Sequence, residues 1–331
     1  MKLETLGAKD VDRLRPLWLA LHAHHQTVAP RLAPYVTDEV SWRERRRLYA
    51  GALADGGFGF IMSEENSDIG YLVCARQPMR WNATFAVAPM LWELVTVFIR
   101  PEWRGKGIGS QMLDAMDRQV ADSDLHTKLI GAIPDNRSAV DLYKSRGFAP
   151  AWLTLMLFQR PRLASAANSG IEIETIKPVR VEGLMGLWLA LHHHHQAVSP
   201  GLGPWVSDAQ SWPIICALLE KSAQHGLVFA AMANGMPIAF ASAEILATAD
   251  VPTYADTWRT GDRIADIMFL VVDAEARGQG IGSALMDALD RELSRRGVDD
   301  CFVGAIAPNS DAIRFYERRG FRPAWIELIK R

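Results

Sequence analysis

The apolar residues of the chain follow two spacings, which alternate in the same order in both halves of the sequence. Positions such as Leu14, Leu17, Trp18 and Leu21 are three and four residues apart, which predicts an amphipathic helix. Short apolar runs, such as the one that begins at Leu94, predict strands. Each half is predicted to contain a short strand, two helices, two strands, a central strand, a helix, a strand, a helix and a final strand. This order favours an α/β fold in which helices cover both faces of a mixed sheet.

The repeated order reflects an internal duplication. The sequence LWLALHAHHQTVAP at 17–30 returns as LWLALHHHHQAVSP at 187–200. We therefore predict two domains, residues 1–160 and 171–331. The segment 161–170, which contains Pro, Ala, Ser and Asn, is predicted to be a linker.

A glycine-rich segment follows the central strand in each half, RGKGIGS at 104–110 and RGQGIGS at 277–283. An amphipathic helix follows at once, so the glycines leave bare backbone N–H groups at a helix N-terminus, which favours an anion such as a phosphate. A mononucleotide P-loop would end in Gly-Lys-Ser or Gly-Lys-Thr, and neither copy does. A dinucleotide fingerprint would have its third glycine at Met112, so that class is not indicated either.

The residues downstream of each glycine-rich segment help to identify its class of phosphate-binding loop. A short apolar strand ends at Asn136 or Asn309, a tyrosine follows at Tyr143 or Tyr316, and a Gly-Phe pair comes next. Together with Arg-x-x-Gly-x-Gly, this set resembles the core of the GNAT superfamily of N-acetyltransferases in both halves. The resemblance implies two GNAT-fold domains, each with a mixed, mostly antiparallel sheet flanked by helices, and acetyl-CoA as the co-substrate. The residues that it implies for binding acetyl-CoA are Val97, Ile99, Arg104, Gly105, Lys106, Gly107, Ile108, Gly109, Ser110 and Asn136, and in the second half Leu270, Val272, Arg277, Gly278, Gln279, Gly280, Ile281, Gly282, Ser283 and Asn309.

The resemblance also suggests residues that transfer protons. Tyr143 and Tyr316 are predicted to protonate the leaving thiolate, although each could instead pack beside its Gly-Phe pair. Glu93 and Asp266 stand at the start of the two central strands, where some GNAT members carry a base glutamate. They are predicted to take the proton of the acceptor ammonium, and the alternative is an exposed strand end.

Histidines cluster at the end of the first helix of each half. His22 and His25, with their copies His192 and His195, have a spacing that places two imidazoles on one helix face. Two imidazoles without a third ligand nearby make a poor zinc site, so no metal is predicted. An acceptor-binding role is predicted for these four residues, with capping or packing as the alternative.

Composition and charge set limits on partners and location. The 331 residues carry a net charge of −2, which does not indicate a nucleic-acid footprint. Three cysteines without metal or redox spacing, and an N-terminus without an apolar leader, favour a cytoplasmic protein with no membrane partner. A monomer of two similar halves or a homodimer is expected.

The sequence therefore predicts an acetyl-CoA-dependent N-acetyltransferase. It would transfer acetyl to the primary amine of a small molecule by direct attack in a ternary complex. A mycothiol-synthase-like enzyme is one alternative, since that activity also uses two GNAT halves. Another is that one half is a non-catalytic acetyl-CoA-binding module that supports the other, because a retained loop indicates binding and not turnover.

Overall fold

The computed structural model describes residues 1–86, 88–160, 171–251 and 255–331. The linker predicted at 161–170 lies outside the described residues. The described helices are α1 (Arg15–Val28), α2 (Asp38–Ala54), α3 (Ile108–Gln119), α4 (Arg137–Ser145), α5 (Met185–Val198), α6 (Asp208–Gln224), α7 (Ile281–Arg295) and α8 (Ser310–Arg318).

The strands follow the predicted order in each half. In the first half they are β1 (Lys2–Thr5), β2 (Phe58–Glu64), β3 (Ser67–Pro78), β4 (Met90–Ile99), β5 (Lys128–Ala132) and β6 (Ala149–Leu157). In the second half they are β7 (Ile173–Thr175), β8 (Val228–Ala233), β9 (Met236–Ala247), β10 (Arg263–Val272), β11 (Cys301–Ile306) and β12 (Arg322–Lys330).

The twelve described strands form one continuous mixed sheet with the order β1-β2-β3-β4-β5-β12-β6-β11-β10-β9-β8-β7. The two halves exchange their final strands, because β12 pairs with β5 of the first half and β6 pairs with β11 of the second. The exchanged strands also pair with each other, which joins the halves. Helices flank this sheet, as predicted for the fold class.

Local sequence explains where helices begin. Thr37 precedes α2 and its side-chain oxygen accepts from the Val40 N–H, while Ser207 opens α6 through a capping box with Gln210. Because of these caps, α2 begins at Asp38 and α6 begins at Asp208.

The apolar core crosses the boundary between the halves. One buried cluster combines Ile133 and Met156 with Trp258 and Phe302, and another combines Phe85 with Ile306. Arg160, at the end of the first half, is buried and donates from Nη1 to the Asp290 carboxylate at 2.8 Å. The halves therefore share part of their apolar interior.

Candidate active site

The glycine-rich loops have the geometry that an anion site needs. Gly107 and Gly280 stand at the N-caps of α3 and α7 with φ of 77° and 80°, a left-handed conformation that favours glycine. A Cβ atom at either position would meet nothing within 4 Å, so the space above the backbone is open. The intrahelical bonds begin with Gln111 N to Gly107 O, which leaves the first helical N–H groups free of helix partners. The loops therefore fit a phosphate group.

A cleft of about 340 Å³ lies over the first loop. The predicted residues that line it are Val97, Ile99, Arg104, Gly105, Gly107, Ile108, Gly109, Ser110, Asn136 and Tyr143. The ammonium of Lys106 instead lies 4.2 Å from the centre of the Trp103 ring. Arg104 Nε donates to Ile99 O at 3.1 Å, and Arg277 Nε donates to Val272 O at 3.2 Å, so both arginines lie against the end of the central strand. His24, another histidine of the cluster at the end of α1, also lines this cleft; burial, followed by the nearby Arg104, lowers its pKa.

The central strands separate from their parallel neighbours. β4 pairs with β5 only as far as Leu94, and β10 pairs with β11 only as far as Ile267. Beyond these points a wedge opens between the strands, next to a β-bulge in each half.

Backbone donors face each wedge. Arg100 N donates to Ile69 O on β3, so alternation along β4 directs the N–H groups of Val97 and Ile99 to the opposite side, toward the wedge. Asp273 N donates to Ile238 O on β9, which directs the N–H groups of Leu270 and Val272 the same way. These are the four strand residues that the sequence analysis selected.

The wedge of the second half opens into a cavity of about 370 Å³. Asp266, Leu270, Asn309 and Tyr316 line this cavity together, and His195 is part of its wall. Burial, with a smaller contribution from Glu244 on the neighbouring strand, raises the pKa of Asp266 to about 7. Burial also raises the pKa of Tyr316, so its phenol keeps its proton at neutral pH. The arrangement provides a proton acceptor and a proton donor in one enclosed space.

The corresponding space in the first half is nearly filled. This first-half cavity measures about 50 Å³, and Arg45 on α2 is one of the residues that line it. Arg45 forms an ion pair at 2.9 Å with Asp256, which comes from the second half, and its guanidinium lies 3.9 Å from the centre of the Trp18 ring. Both charged side chains are buried.

The equivalent positions in the second half are apolar. Trp18 Nε1 and Trp188 Nε1 donate to Ser41 Oγ and Ser211 Oγ, which identifies the two serines as equivalent. Ser41 Oγ donates to the Asp256 carbonyl, whereas Ser211 Oγ donates to the Ala83 carbonyl. Counting four residues on from each serine places Ile215 at the position of Arg45. Ile215 and Ala83 line the large cavity and leave it open.

The predicted base of the first half lies away from that half's own wedge. Glu93 lines the large cavity with Asp266, and not the first-half clefts that contain Tyr143. Arg80 Nη2 lies 3.1 Å from Glu93 Oε1 and 2.9 Å from Glu327 Oε1, so one guanidinium joins both carboxylates. Burial raises the pKa of Glu327, and Arg80 opposes that rise.

The four predicted histidines divide into two kinds. His22 and His192 are fully buried, and their Nε2 atoms lie 3.1 and 3.0 Å from the carbonyls of Val36 and Val206, so they contact the loop that precedes the second helix. His25 and His195 line the small and the large cavity respectively. Burial is the main cause that lowers the pKa of each to about 3, followed by Arg45 for His25 and by the adjacent histidines for His195, so both imidazoles are neutral.

Each wedge is completed by the other half. Trp325 of β12 lies over Gly131 of β5, where a Cβ atom would come within 2.1 Å of the indole nitrogen. Trp152 of β6 lies over Gly304 of β11 in the same way. Gly131 and Gly304 are therefore required because the indole of an exchanged strand packs directly on each of them. No local sequence pattern predicts this requirement.

Comparisons with known proteins agree with this geometry. The acetyltransferase (GNAT) family model matches residues 19–148 and 188–321. A mycothiol acetyltransferase of Thermobispora bispora is 25% identical over 236 residues, which cover 70% of this chain and 74% of that protein. A mycothiol acetyltransferase of Geodermatophilus obscurus is 23% identical over 323 residues, which cover 95% and 94%.

A solved structure shows the same fold. The GCN5-related N-acetyltransferase from Sphaerobacter thermophilus superposes with a TM-score of 0.57 at 17% identity, covering 99% of this chain and 95% of that one. No helix among the described residues is long and apolar enough to cross a membrane. Because the family model matches most of both halves, the chain belongs to the GNAT family of acetyltransferases and contains two GNAT regions.

Proposed function

We propose that the protein transfers an acetyl group from acetyl-CoA to the amine of a small molecule, and that transfer takes place in the second half. The observation that carries the proposal is the cavity of about 370 Å³ that Asp266 and Tyr316 both line. Its volume suits a small acceptor. Acetyl-CoA supplies the acetyl thioester when bound, and the open, positive end of α7 suits its phosphates.

Three groups of this chain have the properties that amine acetylation needs. Asp266 accepts a proton from the acceptor ammonium, since a pKa of about 7 leaves much of it ionised at neutral pH. Tyr316 donates its phenolic proton to the departing sulfur. The N–H groups of Leu270 and Val272 face the wedge and donate hydrogen bonds to an acyl oxygen placed there.

The first half has a different role in this proposal. Its glycine loop is suited to acetyl-CoA, but the Arg45–Asp256 pair leaves about 50 Å³ where an acceptor would enter. We therefore propose that it binds acetyl-CoA and supports the second half without turning over. Mycothiol acetyltransferase activity is a second candidate, favoured by the Geodermatophilus relative, which aligns over nearly the whole chain.

The test measures free thiol release from acetyl-CoA by the full chain across a panel of small amines, including the amine that gives mycothiol on acetylation. Tyr316→Phe removes one proton donor and keeps the ring, and we expect turnover to fall on the order of 10²-fold with acetyl-CoA affinity retained. Tyr143→Phe is the matched variant in the first half, and a much smaller effect is expected there. Equal losses in both variants would contradict the assignment of transfer to the second half.

A further inference from the structure

The large cavity extends well beyond the groups that the proposed reaction needs. From Asp266 on β10 it crosses Phe302 on β11 and Thr154 on β6 and reaches Glu327 on β12. These four strands are adjacent, and three spacings of about 4.8 Å separate the outer two by roughly 14 Å. The cavity is therefore elongated across the sheet, with a carboxylate at each end.

The end far from Asp266 is negatively charged. Arg80 lies between Glu93 and Glu327, so one guanidinium faces two carboxylates, and the Glu327 side chain is nine-tenths buried. Together with Asp266, the described lining residues carry three carboxylates and one guanidinium. The two halves build this end jointly, since Arg80 and Glu93 precede the linker and Glu327 follows it.

The wall between the two ends consists of aromatic rings with a few polar groups. Trp81 and Trp152 stack with their centroids 5.5 Å apart, and Trp325 and Phe302 also line the cavity. Such surfaces attract cations and pack against methylene groups. His195 is nine-tenths buried, and its Nδ1 has no hydrogen-bond partner among the described residues, so the wall also has an unpaired polar atom. Because this imidazole is neutral, it adds no positive charge.

These features define the acceptor of the proposed reaction more narrowly, and the inference rests on that proposed function. We propose that the acceptor is an extended amine with a second cationic group, which Glu327 and Glu93 hold at the far end while the reacting nitrogen lies at Asp266. Linear diamines and polyamines have this chemistry. A monoamine would leave two carboxylates to share one guanidinium, that of Arg80, among the described lining residues. An anionic acceptor would meet the same two carboxylates, with which that guanidinium is already paired.

The test compares linear α,ω-diamines, from diaminobutane to diaminodecane, with monoamines of equal chain length on the full-length protein. Calorimetry measures binding without acetyl-CoA, and thiol release measures turnover. We expect the diamines that span the cavity to bind at least about ten-fold more tightly than their monoamine partners, as hydrogen bonds to a charged group warrant. Glu327→Gln and Glu93→Gln should each reduce that ratio, and Asp12→Asn, an acid on the exposed surface, should not.

The outcomes separate the two proposals. If the diamines bind preferentially in a Glu327-dependent way but no amine is acetylated, the acceptor class stands and the proposed reaction is wrong. If amines are acetylated with equal efficiency whether or not they carry a second charge, the acceptor class is wrong and the reaction stands. A ratio unchanged in both Gln variants also overturns the acceptor class, and circular dichroism of each variant confirms that it has folded.

Discussion

Two acids at equivalent positions of the two central strands have different surroundings. The Glu93 carboxylate is held by Arg80, whereas no side-chain hydrogen bond or ion pair joins the Asp266 carboxylate to another described residue. Burial raises the pKa of Asp266 toward neutrality, which suits a group that must accept a proton and release it again. Asp266 is therefore the candidate base and Glu93 an anchoring group, although the two acids occupy equivalent positions in the sequence.

We expect Asp266→Asn to lower kcat by about 10²-fold because it removes the proton acceptor. In the wild type, kcat/KM should fall as the pH drops below about 7, where Asp266 becomes protonated. The Asn variant should lose that limb of the profile, and its residual rate should rise at high pH as free amine becomes abundant. Steady-state kinetics across pH 6 to 10, a range that brackets these ionisations, checks the prediction. Asp12→Asn, at an acid on the exposed surface, is the control, and a wild-type profile in Asp266→Asn would contradict the assignment.

The same substitution makes a stability prediction with a definite sign. The folded protein binds the Asp266 proton more tightly than the unfolded chain, whose aspartate has its ordinary pKa near 3.8. The contribution of this group to the free energy of unfolding is therefore greatest at low pH and is lost as the pH rises toward about 7. Thermal unfolding should show that Asp266→Asn is more stable relative to wild type at pH 8 than at pH 4. A constant difference would indicate that Asp266 is not buried in an apolar setting.

The roles of individual residues were largely predictable from the sequence where they depend on local backbone geometry. Gly107 and Gly280 need a positive φ, and the strand-to-helix pattern around them is visible in the sequence. The pKa of Asp266 was not predictable, because it depends on burial among strands that are distant in sequence. The same holds for Arg45 and Asp256. Comparing the halves reveals that Arg45 replaces Ile215, but nothing local indicates that its partner comes from the other half.

At the scale of elements, α2 and the loop before β10 decide how much space the first wedge retains. Arg45 comes from α2 and Asp256 from that loop, and Asp256 is fully buried. Burial raises the pKa of Asp256, and Arg45 opposes the rise, so the pair is stable only as a unit. The second half uses Ile215 and Ala83 in the same places and keeps its cavity.

We expect Arg45→Ile alone to destabilise the protein by about 3–5 kcal/mol, because it leaves a buried carboxylate without its cation. Asp256→Ala alone should also lower the free energy of unfolding, because it leaves the buried Arg45 guanidinium without its anion. The double variant, which carries the residues of the second half, should cost less than the sum of the two, so the double-mutant cycle should show strong coupling. Denaturant unfolding measures all three variants. The exposed pair Arg46 and Asp12 is the control and should show little coupling, whereas additive losses at Arg45 and Asp256 would refute the pairing.

The element order was predictable from the apolar spacing, but the pairing of the final strands was not. The alternation of apolar and polar residues in β6 and β12 would be the same whether each strand joined the sheet of its own half or that of the other half. The choice depends on contacts such as Trp325 over Gly131, which lie far apart in the sequence. The sequence analysis predicted two domains, residues 1–160 and 171–331, and the described sheet runs without interruption from one half to the other.

At the scale of the whole molecule, the exchange makes each half part of the other's site. β12 inserts between β5 and β6, and Trp152 and Trp325 reach across into the opposite wedge. Arg160 is buried among carbonyl and carboxylate groups of the second half, including Val298 O at 2.7 Å. Removing the second half would expose the edge of β5, and removing the first half would expose the edge of β11. In each case the apolar residues packed there would also be exposed, which is unfavourable.

We therefore expect the halves to remain together after the chain between them is cut. A protease site inserted into 161–170 allows the full-length folded protein to be cleaved, and the uncut protein with the same insertion is the control. If the exchanged strands hold the molecule together, both fragments should elute as one particle of unchanged size, with acetyl transfer retained, and should separate only in denaturant. Unfolding should follow a single transition, since two of the buried clusters combine residues of both halves. Fragments that elute separately in buffer, or two resolved transitions in the uncut control, would show that each half folds by itself and that the exchange contributes little to the assembly.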